Sequence, residues 1–430
     1  MTIHELPATS PIHGRRCWVR VTSRRADGFV EFDFSIGDPD LAVDLILPTH
    51  AFEEFCRVNR AGTSATNKGA SSTASSPSGA TGNPASTHEA PHTQETNPMT
   101  VDIRVRSVKP LRNTFAHIAQ RFGDKPASRY QEGTYNLQAE VNYHYKPLWD
   151  PDGQLYDQRR TAVVMRDWYA PKDPRQYYYG SYTMARARQQ EAADRQMEMA
   201  EQRGLLADLP EAERSLLVRA VLPLRHYEWG ANTNMSQVAA YGWGTAITQA
   251  AAMGMMDRLG MAQHLSRIGL MLDGNTGTSL AQAKQHWMDD EAWQPLRRQT
   301  ENTFVLRDWF ESLVAQALVA DSLVYPLLLD RFERHVAARC GHGLATVLDF
   351  PLRWQAESAR WVDAVVKTCA AESEPNRELI AGWAGKWQAA YASALTPLAE
   401  LAMGAEQGAA VLREIGDALR ARLVRLQVIA

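Results

Sequence analysis

The chain has 430 residues, a net charge of −3 and 22% charged residues. That length allows two to four domains, and so even a charge balance argues against a nucleic-acid or polyanion binder. The N-terminus, MTIHELPATSPIHGRR, lacks an apolar signal core, and no stretch reads as the roughly 18 uncharged apolar residues of a membrane span, so the expectation is a cytoplasmic protein without a membrane partner.

Residues 1–60 form a first block. Trp18–Val21 and Gly28–Phe34 alternate as two strands around an Arg24–Gly28 turn, with Val30, Phe32 and Phe34 on one face. Leu41–Leu47 is apolar enough for a third strand. Pro48 then opens a short helix that places Phe52 and Phe55 on one side. The block reads as a small α+β domain without a catalytic grouping.

Residues 61–98 contain no Val, Ile, Leu, Phe, Tyr or Trp, and Lys68, Glu89 and Glu95 are their only charges. Such a segment cannot bury enough apolar surface to offset its ordering entropy, so a disordered linker is expected. The chain restarts at Met99 as if it were a separate protein.

Residues 99–176 are aromatic, polar and weakly periodic, punctuated by Pro147, Pro151, Pro171 and Pro174. They read as an extended arm, either lying across a partner or packed as loops on their own domain. Aromatic residues anchor interfaces, so the candidate partner-contacting residues are Tyr130, Trp149, Trp168, Tyr169, Tyr177, Tyr178 and Tyr179.

Residues 177–430 are helical. Helices are expected over Met184–Arg203, Glu211–Leu222, the nearly uncharged Met235–Leu259, Thr303–Ala337, Phe350–Thr368, Asn376–Met403 and Gln407–Val428. Phe304, Trp309, Leu313, Leu318, Leu323 and Leu327 supply core for the fourth of these. The fold class is mainly α, a bundle over 99–430 preceded by the small α+β domain and the linker.

A large helical bundle raises the question of a di-iron carboxylate site, which needs Glu-x-x-His pairs on facing helices. The chain has one Glu-x-x-His, Glu89–His92, with Pro91 inside it and in the linker. His226-Tyr227-Glu228 has no Pro-Cys-x-x-Cys after it, which excludes a zinc deaminase. Gly242-Trp243-Gly244 lacks the third glycine of a dinucleotide fingerprint, and no phosphate-loop or nucleophile-elbow motif occurs. Cys17, Cys56, Cys340 and Cys369 are too scattered for a metal site and fit buried thiols in a reducing compartment. No catalytic, metal-ligating or cofactor-binding residue emerges.

The strings Phe122–Ala127, RYQEGTYNLQAEVNYHYKPLWDP from Arg129 to Pro151, DWYAPKDPRQYYYGSY, VLPLRHYEWGAN, MDRLGMAQHLSRIGLMLDG, FVLRDWFESLVAQALV and ESARWVDAVVKT resemble the β, non-catalytic subunit of bacterial multicomponent phenol hydroxylases. WVRVTSRRADGFVEFDFSIGDPDLAVDLILPTHAFEEFC resembles their small auxiliary assembly component, though the likeness stops near Arg60. The resemblance implies a ferritin-like bundle without a metal site, and no cofactor in this chain. It implies a di-iron centre in a separate catalytic α subunit, FAD and 2Fe-2S in a reductase, a small γ subunit and a regulatory effector protein, assembled as (αβγ)2. It implies a structural role in NADH- and O2-dependent phenol hydroxylation, with the active site on the partner. Two alternatives stay open: the β subunit of a toluene- or alkene-type monooxygenase, and a helical interaction module without an oxygenase role.

Overall fold

The computed structural model describes residues 2–5, 17–36, 42–58, 115–141, 148, 150, 151 and 153–430. The chain divides into two compact units, Met1–Ile103 and Arg104–Ala430. The expected linker and Trp149 lie outside the described residues.

The first unit is an antiparallel meander in the order β1 (Thr2–Glu5), β2 (Cys17–Arg24), β3 (Phe29–Ile36), β4 (Ala42–Pro48), followed by α1 (Thr49–Val58). Three strands and the helix match the alternation in the sequence. β1 was not expected: four residues are too few to show a period, and it forms by pairing with β2. The β2–β3 turn closes with Arg25 N donating to Phe29 O (2.8 Å), and Gly28 adopts φ +85° there, a conformation glycine reaches without steric cost. Val19, Val30 and Phe32 on the sheet meet Phe52 and Cys56 of α1 to form the core. The Phe32 and Phe52 ring centroids are 4.8 Å apart, edge to face.

In the second unit, α2 (Ala116–Phe122) and α3 (Arg129–Thr134) lie in what reads as an arm. Ser128 and Gln131 cap α3 reciprocally, a local signal that starts a helix without any apolar period. The described part of the arm packs on its own chain. Asn376 Oδ1 accepts from Val164 N (3.0 Å), Gln138 Oε1 accepts from Gly244 N (2.8 Å), and Tyr177 O accepts from Gln249 Nε2 (2.6 Å).

The helices that follow are α4 (Tyr179–Gln202), α5 (Glu211–Ala220), α6 (Leu224–Tyr241), α7 (Thr245–Leu272), α8 (Thr278–Asp289), α9 (Gln294–Thr303), α10 (Trp309–Cys340), α11 (Gly343–Glu372), α12 (Glu374–Met403) and α13 (Ala405–Arg425). The expected helix over Met235–Leu259 is two helices. Gly242 and Gly244 break it, and a Cβ on Gly244 (φ +89°) would lie 2.8 Å from Trp168 O. Polar α8 and α9 were missed, and Phe304 sits in the turn after α9, 38% exposed rather than in the core. α10 is long and apolar enough to cross a membrane, which the sequence reading overlooked, but 89% of its most apolar window is buried by the surrounding helices. It is the core helix of the bundle, and it winds more widely over Val314–Ala320 and Pro326–Arg331. The fully buried aromatics Tyr227, Trp293, Trp309, Phe310, Phe332, Trp354, Trp361 and Tyr391 fill the centre.

Candidate functional site: a charged centre in the bundle

Helical bundles place reactive groups in the core, on side chains from facing helices. In this core α6, α7, α10 and α11 meet at one guanidinium. Arg258 of α7 contacts Glu228 Oε2 of α6 at 3.1 Å and pairs with Asp321 of α10, and its charge lies over the Trp354 ring of α11, 4.7 Å from the centroid. Arg258, Glu228 and Asp321 are nearly inaccessible to solvent.

The other oxygen of each carboxylate also accepts. Tyr325, one turn beyond Asp321, donates to Glu228 Oε1 (2.7 Å). Tyr227 donates to Asp321 Oδ1 (2.8 Å), as does Gln316 Nε2 (3.0 Å). Gln316 Nε2 also donates to the Tyr227 hydroxyl (2.7 Å). Burial pushes the Glu228 carboxyl up, with Arg258 opposing. Burial would lower the Arg258 pKa, but Asp321 and Glu228 hold it above its ordinary value. Burial, aided by the same carboxylates, keeps both tyrosines protonated as donors.

A second cluster begins one residue earlier, at Asp257. It accepts two bonds from Arg186 of α4 (2.7 Å each), one from Tyr182 (2.8 Å) and one from Trp354 Nε1 (2.9 Å). Trp354 therefore joins both clusters, by its edge and by its face. Arg186 continues to Glu357 (3.0 Å).

The arrangement does not suit a metal ion. Among the described residues no group of three or more His, Cys, Asp and Glu could hold one. The two carboxylates nearest the centre are bridged by a covalently attached cation, and a metal would have to displace it. His264 instead bonds Val347 O (2.7 Å), and His226 stacks on Trp287 (5.9 Å) rather than joining Glu228. The centre can hold four helices in register; it presents no open coordination position.

The residues expected at a partner interface take several positions. Tyr130 is buried and accepts from Asp173 N (3.3 Å). Trp168 is buried against Trp309, 5.5 Å between rings. Both side chains are covered within this chain. Tyr169 accepts from Leu137 N and Gln138 N (2.9 Å each). The guanidinium groups of Arg175 and Arg186 lie over the Tyr177 ring, 5.0 and 5.6 Å from its centroid. Tyr178 N–H donates to Ser181 Oγ (3.1 Å) at the start of α4, and Tyr179 is 74% exposed. Sequence reasoning missed Glu228, Arg258, Asp321, Gln316 and Asn234. The available signal was Asp257-Arg258 inside an otherwise uncharged helical stretch, since charges in a buried helix must be paired.

These features define a helical bundle whose centre is filled by a buried ion cluster. Residues 149–373 match the family described as methane/phenol/alkene hydroxylase, and residues 11–63 match the phenol hydroxylase subunit family. The chain belongs to the methane/phenol/alkene hydroxylase family, and its bundle has the ferritin-like fold of that family. It is 47% identical to phenol 2-monooxygenase oxygenase component DmpL of Pseudomonas sp. strain CF600, over 76% of this chain and 98% of that protein. The crystal structure of xenon-pressurized phenol hydroxylase from Pseudomonas sp. OX1 superposes with TM-score 0.70 at 43% identity, covering 76% of this chain and 98% of that one. The N-terminal unit is 54% identical over 43 residues to phenol 2-monooxygenase auxiliary component DmpK of strain CF600, spanning 10% of this chain and about half (47%) of that protein.

Proposed function

We propose that this chain is the non-catalytic β subunit of a di-iron phenol hydroxylase, joined in one chain to the assembly component of the same enzyme. The observation that carries this reading is Arg258 between Glu228 and Asp321, where the four core helices would otherwise present metal ligands. Iron, oxygen and phenol are handled on a separate catalytic α subunit. Electrons come from a reductase holding FAD and 2Fe-2S, and a γ subunit and an effector complete a cytoplasmic (αβγ)2 assembly. The outer face of α6 and α7 supports a partner. No charged residue occurs from Trp229 to Met256, yet those two side chains are 60% and 42% exposed. The auxiliary-like N-terminal unit favours phenol over toluene or alkene as the substrate class.

The test is the iron content of this chain purified alone and together with the catalytic subunit. Near-zero iron alone and iron in the complex is the expected result. About two irons per isolated chain overturns the reading. Residues 61–98 join the two blocks covalently, and a random coil of that length would span roughly 35 Å on average and give about millimolar effective concentration. Cutting the chain there should slow iron loading at low protein concentration; equal rates for cut and intact chains would remove any role for the linkage.

A further inference from the structure

The outer face of α6 begins with a cation that lacks a counter-charge. Arg225 is half-buried, and its guanidinium forms no ion pair and no hydrogen bond among the described residues. Burial lowers its pKa, and no carboxylate opposes that. The charged groups around it have the same sign: after burial, Arg225 and Lys284 of α8 are what lower the His226 pKa. Lys284 is exposed and likewise has no ion pair among the described residues. Asp290, just after α8, is already held by Arg219 (2.6 Å), and Glu301 of α9 by Arg297 (2.7 Å).

One turn further on, the face becomes aromatic. Residues four apart share a helix face, which puts Trp229 beside Arg225. Trp229 is exposed, and its ring meets that of Phe304 edge to face, 6.5 Å between centroids. Phe304 and Val305, in the turn after α9, are exposed as well. The aromatic pair is held from below. A Cβ on Gly230 would lie 2.4 Å from Thr300 Cγ2 and 3.3 Å from Phe304 Cζ, so α9 packs directly on the backbone of α6. An exposed tryptophan beside an unpaired arginine is the composition of an interface anchor. A phosphate backbone needs a run of cations, and from Trp229 to Met256 there is none. A second copy of the same face would bring cations to cations.

We propose that this face docks a partner protein whose carboxylates close on Arg225 and Lys284 while an apolar side chain covers Trp229 and Phe304. Charge steers the approach and fixes the register, and the desolvated aromatic centre holds the complex. The inference rests on the role proposed above for the identity of the partner, the catalytic subunit. It adds the face that is used and the chemistry that must lie opposite.

The experiment measures association of the full chain with the catalytic subunit by biolayer interferometry, in dilute buffer and in about 0.5 M salt. Trp229→Ala should weaken binding by roughly 30-fold or more, mainly through faster dissociation. Arg225→Glu should weaken it by about tenfold in dilute buffer, mainly through slower association, and by less at high salt. Arg225→Lys, which keeps the charge, should bind more tightly than Arg225→Glu. No bond among the described residues is lost with Arg225, so the urea midpoint of Arg225→Glu alone should not fall, which separates lost docking from lost folding. Single-stranded DNA should not bind. A parent chain that does not associate with the catalytic subunit overturns the role proposed above and this inference with it. A parent that associates while folded Arg225→Glu or folded Trp229→Ala does so equally well overturns this inference alone, as does DNA binding that Arg225→Glu abolishes.

Discussion

Two arginine–aspartate pairs show how differently the two units of this chain use charge. In the N-terminal sheet, Arg20 and Asp33 face each other across β2 and β3 at 2.7 Å, with side chains 38% and 13% exposed. In the bundle, Arg258 and Asp321 join α7 to α10 with side chains 2% and 6% exposed. The groups are the same and the solvent is not. Water screens the first pair, so neither member depends much on the other. In the second, neither charge can be hydrated, so each needs its partner and every remaining lone pair needs a donor. A small unit keeps its charges at the surface and takes its order from Phe32, Phe52 and their neighbours. A large core can enclose charge, and then charge becomes part of its packing.

The largest effect should come from breaking the buried pair. Arg258→Met leaves Glu228 and Asp321 without their cation and is expected to lower bundle stability by about 3–5 kcal/mol in urea denaturation. Replacing all three, with Glu228→Gln, Arg258→Met and Asp321→Asn, should recover most of that loss. If the triple variant is as unstable as the single one, the cost arises from packing against Trp354 and the electrostatic account is wrong.

Gly244→Ala tests the hairpin that brings Glu228 opposite Arg258. The new Cβ would meet Trp168 O at 2.8 Å in a left-handed conformation, so a loss of about 1–3 kcal/mol is expected. The same change at Gly274, also at positive φ but with nothing within 4 Å of its Cβ, should cost less. Equal losses at both positions would leave only the backbone conformation as the cause.

A smaller effect should follow pH. Burial, then the neighbouring Arg225 and Lys284, lowers the His226 pKa from 6.5 to about 4. Its folded-state pKa is therefore the lower one. Below pH 6.5 the unfolded chain takes up a proton that the folded chain refuses, so stability declines as pH falls and the decline is complete near pH 4. His226→Gln should flatten the urea midpoint over that window. An unchanged slope would mean that carboxylates elsewhere account for the decline.

Most of the bundle was legible because long helices repeat their apolar period many times, as in α12 and α13, whose ends fall close to those expected. β1 and α3 were not, because a pairing partner and a capping box form them rather than any period of their own. The break at Gly242–Gly244 was visible as glycines but not as a turn, since the reason for it is the approach of Trp168 from a distant segment. The charged centre was the least legible part. Glu228, Arg258 and Asp321 lie on three helices, and nothing along the chain records that those helices meet at one point. The lack of Glu-x-x-His pairs could be read directly, because i, i+3 spacing is a property of one helix.

The smallest expected effect returns to the exposed pair. Arg20→Ala removes one partner of Asp33, and Asp33 remains on a sheet face that water reaches. The loss should be about 0.5 kcal/mol and should shrink further in 0.5–1 M salt, where the screening length falls to roughly 3–4 Å. Arg258→Met, in contrast, should be nearly insensitive to salt, because ions cannot reach a guanidinium that is 2% exposed. Salt dependence thus separates the two pairs more sharply than size of effect. A salt-sensitive loss at Arg258 would mean that solvent enters the bundle centre, and an ion pair open to water would no longer distinguish this core from the surface.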